Sequence, residues 1–113
     1  MRRPLITTGL LALAAVNVAW AVAMSRPTPL IGAIVYSAVA FQVVRHAEYR
    51  AAFFVGIAGA ALHLFEFLRG GAAAPGGHAW FVAANIVIPA AVSVLALVAW
   101  RRSAAEKRDA ESP

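Results

Sequence analysis

The sequence predicts an all-α integral membrane protein: an antiparallel four-helix bundle that runs up-down-up-down, with both termini on the cytoplasmic side. Its 113 residues are 62% hydrophobic and 13% charged, whereas a soluble domain is about half apolar and about a quarter charged. The apolar residues form four blocks, each close to the roughly 20 residues that a spanning helix needs. The connections are short, so we expect sequence neighbours to be antiparallel.

Each apolar block is interpreted as a helix, because backbone in lipid must satisfy its own hydrogen bonds. The predicted helices cover about residues 5–24, 29–44, 51–68 and 79–100. The turn SRPTP ends the first helix, since proline cannot continue it. A glycine-rich connection, interpreted as a linker, joins the third and fourth helices. Residues 1–100 then form a transmembrane domain. Residues 101–113 form a polar cytoplasmic tail, which is expected to be a frayed helical extension followed by disorder.

The basic residues predict the orientation. Eight of the ten fall on one side of the predicted bundle, and only Arg26 and Arg69 fall on the other. Cytoplasmic loops carry the excess of Lys and Arg, so both termini are expected in the cytoplasm of a multi-pass cell-membrane protein. The formal charge of +5 thus indicates anchoring to the lipid bilayer, not nucleic-acid binding. The first block also resembles a signal peptide, whose cleavage would leave three helices, but we expect it to be retained.

An ionisable pair inside the third block gives the first candidate site. His63 and Glu66 continue the helical stripe of Ala52, Gly56 and Gly59, and small residues mark the packing faces of membrane helices. The pair is therefore expected to face protein. Intramembrane ionisable residues are functional-site hypotheses by default, although Glu66 could instead pair with Arg69 near the interface.

Three further residues are expected at the same depth. At about 1.5 Å per residue, Asn17 and His63 lie roughly 18 Å above the cytoplasmic helix ends. Trp20, Glu66 and Asn85 lie at roughly 22 Å. Pro89 cannot donate to the carbonyl of Asn85, which adds a free acceptor to this layer. The predicted ligand- or proton-binding residues are His63, Glu66, Asn17, Asn85 and Trp20.

Other roles for His63 remain open. It could hydrogen-bond Asn17 or Glu66 and simply hold helices together, or its proton could be the one that the protein handles. A homodimer could supply a second His63 as an axial haem ligand. A metal site is not predicted, because His63 and Glu66 are too few ligands for a closed site. With no cysteine in the chain, disulfides, thiolate metal sites and Fe–S clusters are excluded.

Three functions fit these residues. The first is binding of a small ligand or a proton by the polar site in the outer half of the bundle. Such binding could be coupled to transport and would take place in a homo-oligomer. The second is an accessory or assembly subunit of a larger membrane complex, whose polar layer is purely structural. The third is a small membrane enzyme for a lipid-soluble substrate, with His63 as base and Glu66 as acid or orienting group. The catalytic residues of such an enzyme are otherwise unknown from the sequence.

Overall fold

The computed structural model describes residues 2–69 and 78–111, and the regular structure in these ranges is α-helical. Helix α1 spans Arg2–Met24, α2 spans Thr28–His46, α3 spans Tyr49–Leu68 and α4 spans His78–Glu111. Each helix is long and apolar enough to cross a membrane. The prediction of four such helices is confirmed. Most of the predicted glycine-rich linker, residues 70–77, lies outside the described residues.

Helix α4 extends beyond the fourth apolar block into the predicted polar tail. It has 34 residues, which corresponds to about 51 Å at 1.5 Å per residue. It continues through the polar segment RRSAAEKRDAE, in which Ala, Arg, Glu and Lys favour a helix even without apolar periodicity. The segment assigned to the polar tail is therefore helical as far as Glu111, and the chain reaches 61 Å in its longest dimension.

Two short turns reverse the chain. Ser25 after α1 and Ala47 after α2 have positive φ angles of 50° and 51°. The N–H of Ala47 donates to the carbonyl of Val43 at 3.0 Å, and the N–H of Glu48 donates to the carbonyl of Gln42 at 3.5 Å. A left-handed residue at this position satisfies the last carbonyls of a helix and turns the chain back. The α2–α3 connection consequently needs only two residues.

Contacts near the helix ends define the two ends of the bundle. Nε of Arg3 donates to the hydroxyl of Tyr49 at 3.4 Å, and the guanidinium of Arg50 lies 5.6 Å from the ring centroid of Trp100. The beginnings of α1 and α3 thus lie beside the middle of α4. We call this end the basic end, and we call the end at the α1–α2 turn the distal end.

The four helices form two close pairs. Helix α1 packs along α2, α3 packs along α4, and α1 and α4 join the pairs, whereas α2 and α3 are the least closely packed neighbours. Six apolar side chains with no exposed surface lie toward the basic end: Ile6, Leu10, Leu13, Val43, Ala52 and Ala96. The core is therefore filled near the basic end, and a gap remains between α2 and α3 in the distal half.

Glycine permits the close approach of α3 to α4. A Cβ on Gly56 would lie 2.6 Å from the carbonyl oxygen of Pro89 and would also collide with the hydroxyl of Ser93. That hydroxyl donates to the carbonyl of Phe53 at 2.8 Å. Small residues that let backbones approach are the typical means of helix association in lipid. Helices α3 and α4 are thus closely packed at Gly56, on the basic-end side of His63 and Glu66.

Candidate functional site

Two asparagines join α1 to α4 in the distal half. Nδ2 of Asn17 donates to Oδ1 of Asn85 at 2.9 Å and to the carbonyl of Leu13 at 2.8 Å. Nδ2 of Asn85 donates to the carbonyl of Phe81 at 2.9 Å. Both side chains are buried. The two side chains therefore form a buried hydrogen bond between α1 and α4.

The Oδ1 of Asn17 accepts no hydrogen bond from the residues that the structure describes. Because Nδ2 faces a backbone carbonyl, its assignment as the nitrogen is fixed by chemistry, since two oxygens would repel each other. Both amide protons are used in the two bonds of Asn17 described above. A Cβ on Gly32 of α2 would lie 3.3 Å from Oδ1 of Asn17. The oxygen is thus directed toward α2.

His63 hydrogen-bonds its own helix. Its Nδ1 lies 2.8 Å from the carbonyl oxygen of Gly59, so neutral His63 carries its proton on Nδ1 and presents Nε2 as an acceptor. The partner is neither Asn17 nor Glu66, the two candidates that the sequence suggested, because a carbonyl one turn back on the helix is the nearer acceptor. His63 is half-buried, and within residues 2–69 and 78–111 no hydrogen bond to its Nε2 is present.

Trp20 connects three helices at the level of His63. Its ring is stacked with that of Phe81, with centroids 5.9 Å apart and planes inclined by 3°. Its ring centroid lies 5.8 Å from that of His63. Trp20 itself is 7% exposed. The indole ring of Trp20 therefore packs between Phe81 of α4 and His63 of α3.

Glu66 lies at the distal mouth of the site and is exposed. The guanidinium of Arg69, one turn further, lies over the ring of Phe65, 5.5 Å from its centroid. Within residues 2–69 and 78–111, no hydrogen bond or ion pair to the Glu66 carboxylate is present. The Glu66–Arg69 pair that the sequence left open is thus not formed in the described part of the chain.

The tight turn between α2 and α3 sets the register of the gap. Tyr36 precedes His46 by ten residues, and Gly59 follows Tyr49 by ten, so Tyr36 and Gly59 are level. The Tyr36 hydroxyl lies so close to Gly59 that a Cβ there would collide with it. One turn further toward the distal end, Gly32 is level with His63. The helices therefore touch at Tyr36 and separate above it.

The gap is a cleft of about 690 Å³ between α2 and α3, with α1 as its back wall. We call it the α2–α3 cleft. Its polar or charged lining residues are Asn17, Trp20, Arg26, Thr28, Tyr36, His63 and Glu66. The other lining residues are apolar, and its rims include Ile31, Val35 and Leu62, which are 65%, 41% and 56% exposed on the outside of the bundle. The cleft thus opens sideways between two helices as well as at the distal end.

Four of the five predicted site residues line this cleft: Asn17, Trp20, His63 and Glu66. Asn85 does not line it, because its side chain is wholly buried behind Asn17. Arg26, Gly32 and Tyr36 were not among the predicted site residues. Residue counting from the α2–α3 turn places Gly32 level with His63, but glycine has no polar side chain that would mark it as a site residue.

No group of three or more His, Asp or Glu side chains that could hold a metal ion occurs in the part of the chain that the structure describes. Comparison of the chain with protein-family models, with curated proteins and with solved structures finds no significant match.

Proposed function

We propose that this protein is a multi-pass membrane protein, with both termini in the cytoplasm, that binds an amphipathic small molecule in the α2–α3 cleft. The observation that carries the proposal is the coincidence of a 690 Å³ cleft with the level at which Asn17, Trp20 and His63 meet. Ligand pockets are commonly about 300–1,000 Å³, mostly apolar, with a few convergent polar groups. The α2–α3 cleft has each of these properties.

The lining suggests which end of the ligand lies where. The apolar rims formed by Ile31, Val35 and Leu62 would face acyl chains, so a ligand could enter from the bilayer without crossing water. The polar groups lie toward the distal end, where an amphipathic molecule keeps its head at the interface. The ligand body would then lie along the α2–α3 rims and its head beside His63.

The polar groups favour a head that donates hydrogen bonds. Nε2 of His63, Oδ1 of Asn17 and the carboxylate of Glu66 are all acceptors. Among the described lining residues, only Arg26, at the mouth, brings a charged donor. An ammonium or hydroxyl head satisfies more of this lining than a carboxylate does, because a carboxylate is an acceptor alone. We therefore propose an amphipathic amine or alcohol as ligand, and proton binding at His63 as a variant of the same site.

A filled cleft tests the proposal. Ala58 lines the cleft and Ala61, three residues on, does not, although both are exposed on α3. Ala58→Trp should abolish binding of a fluorescent long-chain alkylamine by the reconstituted protein, whereas Ala61→Trp should leave it unchanged. Equal binding by the two variants would show that the amine does not use the cleft.

Two side-chain variants test the polar end. Glu66→Gln and His63→Ala should each weaken alkylamine binding, with Glu106→Gln as a charge-matched control on α4 outside the cleft. A loss in Glu66→Gln that an uncharged long-chain alcohol does not show would assign the carboxylate to the ammonium head. Unchanged binding in both cleft variants would contradict the proposed orientation. Flux in liposomes with the same variants tests whether binding is coupled to transport.

The accessory-subunit function is the second candidate, and one observation favours it. Among the four helices, α3 buries the smallest share of its residues within the chain. It exposes Phe54, Ile57, Phe65 and Leu68 on one side, a surface that a partner helix could cover as well as lipid. Purification in mild detergent distinguishes the two: a stoichiometric larger partner supports the subunit role, and a homo-oligomer or monomer opposes it.

The enzyme alternative draws on the same cleft. Nε2 of His63 could act as a base toward a lipid-soluble substrate that enters between α2 and α3, with Glu66 as acid or orienting group. Mass spectrometry of lipids and isoprenoids incubated with the reconstituted protein and with His63→Ala would detect such turnover. Identical product profiles would exclude it for the lipids supplied.

A further inference from the structure

A second cavity, at the basic end, is independent of the α2–α3 cleft. Its volume is about 360 Å³, and it lies where the beginning of α1, the α2–α3 turn and the long α4 meet. Seven residues line it: Arg3, Ala47, Tyr49, Ala99, Arg102, Ser103 and Glu106. The small side chains of Ala47 and Ala99 make the space, and every other lining side chain carries a hydrogen-bonding group. We call it the basic-end cavity.

The donors in this cavity come from three elements of the fold. Nε of Arg3 donates to the Tyr49 hydroxyl at 3.4 Å, and this bond engages neither of the two terminal amino groups of Arg3. Arg102 and Ser103 contribute a guanidinium and a hydroxyl from α4. Arginine forks match the oxygens of phosphate groups, and hydroxyls complete such sites. The set fits an oxygen-rich anion.

The beginning of α3 adds to the same potential. Helix α3 starts at Tyr49, in the cavity wall, and Glu48 before it makes no side-chain capping bond to the first-turn N–H groups. Uncapped N–H groups give a helix N-terminus a partial positive charge. This contribution supports the arginines and would not be a site without them.

The net charge of the lining limits the charge of the ligand. Two arginines and one glutamate, Glu106, leave a formal charge of +1. A phosphodiester whose substituents are uncharged has a net charge of −1. A phosphomonoester carries nearly two negative charges near neutral pH and would meet the Glu106 carboxylate with an excess. The lining therefore matches a diester better than a monoester.

We propose that the basic-end cavity binds a monoanionic phosphodiester, held by Arg3 and Arg102 with the hydroxyls of Tyr49 and Ser103. Trp100 lies at the same level on α4, where the apolar part of that helix ends, which is the typical position of an interfacial tryptophan. Basic pockets between helices on the cytoplasmic side are places where lipid head groups bind. The phosphodiester can come from an anionic phospholipid or from a soluble head-group compound.

The test uses the full chain in detergent micelles and native mass spectrometry to measure binding of phosphatidylglycerol, phosphatidic acid and phosphatidylcholine. Phosphatidylglycerol should bind most tightly. Because each arginine near anionic lipid contributes about fivefold in affinity, Arg3→Gln with Arg102→Gln should weaken its binding about 25-fold. The matched control, Arg45→Gln with Arg108→Gln, removes the same charge outside the cavity and should change affinity much less.

Further experiments distinguish a phospholipid from a soluble phosphodiester as the ligand and test whether the charge of the lining selects a diester. Water-soluble glycerophosphoglycerol that displaces the lipid would identify a soluble phosphodiester as sufficient, and failure to displace it would identify the phospholipid as the ligand. Glu106→Gln should improve binding of phosphatidic acid more than that of phosphatidylglycerol. Tyr49→Phe, which keeps the ring, should weaken binding without unfolding α3.

Two results would overturn the proposal. One is equal affinity of the unaltered chain for phosphatidylcholine and phosphatidylglycerol. The other is an equal loss in the cavity and control double variants, which would mean diffuse attraction by surface charge. Helical content by circular dichroism verifies that each variant is folded before its affinity is compared.

Discussion

The side chain of Asn17 lies between α4 and α2. Its nitrogen donates a hydrogen bond to Asn85 of α4 at 2.9 Å, and its oxygen is directed at Gly32 of α2. One face of the amide therefore closes the α1–α4 contact, while the other face lines the α2–α3 cleft. The same residue therefore takes part both in the α1–α4 contact and in the lining of the cleft.

The Asn17–Asn85 bond should contribute measurably to stability. Hydrogen bonds between helices in membranes contribute about 0.6 kcal/mol on average and up to about 2 kcal/mol, so Asn17→Ala and Asn85→Ala should each cost about 1 kcal/mol or more. In a double-mutant cycle, measured by SDS-induced unfolding in mixed micelles, the two losses should be strongly non-additive. The exposed Ser37→Ala on α2 is the control. Simple additivity would contradict a direct bond.

The α3–α4 approach should tolerate no added methyl group at Gly56. A Cβ there would lie 2.6 Å from a backbone oxygen, which cannot rotate away, whereas at Gly32 the nearest atom is a side-chain oxygen at 3.3 Å. Overpacking costs about 1–3 kcal/mol, so Gly56→Ala should lower unfolding stability by that amount, and Gly32→Ala by clearly less. The same unfolding assay compares them. Equal costs at both glycines would show that the helices adjust freely.

At the bottom of the cleft, the loss of stability caused by one substitution should be reversed by a second substitution. Gly59→Ala places a Cβ against the hydroxyl of Tyr36, and removal of that hydroxyl relieves most of the collision. Gly59→Ala should therefore destabilise the protein, and Tyr36→Phe in the same chain should restore much of the loss. A second variant, Tyr36→Phe alone, should be nearly neutral. If the double variant is no more stable than Gly59→Ala, α2 and α3 do not touch at this point.

The predicted orientation can be measured by cysteine labelling, which is clean because the chain contains no cysteine. A cysteine at Thr28, exposed at the distal end, should react with a membrane-impermeant maleimide added outside intact cells. A cysteine at Ala110, exposed near the end of α4, should react only after the membrane is opened. The reverse pattern would overturn the positive-inside assignment, while labelling of both positions from outside would indicate mixed insertion.

Occupation of the cleft should protect its rim from the same reagent. A cysteine at Leu62, whose side chain is on the cleft rim, should react more slowly when a long-chain alkylamine is present. A cysteine at Leu64, exposed on α3 and not a lining residue, is the matched control and should be unaffected. Parallel slowing at both positions would indicate a general effect of the amine on the bilayer or micelle.

Much of the helical architecture was accessible from the sequence. The predicted boundaries of the first three helices differ from the observed ones by no more than three residues, because proline and charge end an apolar run at defined places. Helix α4 continues eleven residues beyond Trp100, the end of the fourth predicted apolar block. Apolar periodicity stops at Trp100, but Ala, Arg, Lys and Glu keep the helix going by intrinsic propensity.

The sequence predicted the depth of the candidate site residues along the bundle axis, but it did not predict their contacts. Rise per residue brought Asn17, His63 and Asn85 to similar depths, and the Asn17–Asn85 contact is what such a depth allows. Depth says nothing about rotation, so the sequence could not show that Asn85 is hidden behind Asn17. Nor could it show that His63 bonds to the carbonyl of Gly59, because an acceptor in its own helix competes with every partner on another helix.

The sequence by itself determined four apolar helices and the short turns between them, since both follow from local composition. Only the tertiary structure decided that α1 pairs with α2 and α3 with α4, and that the space between the pairs opens at Gly32 and His63. The physical reason is that packing depends on the distance between two backbones. That distance is set by glycines and small side chains meeting across helices, such as Gly56 against Pro89 and Gly59 against Tyr36, and one helix alone does not specify its counterpart.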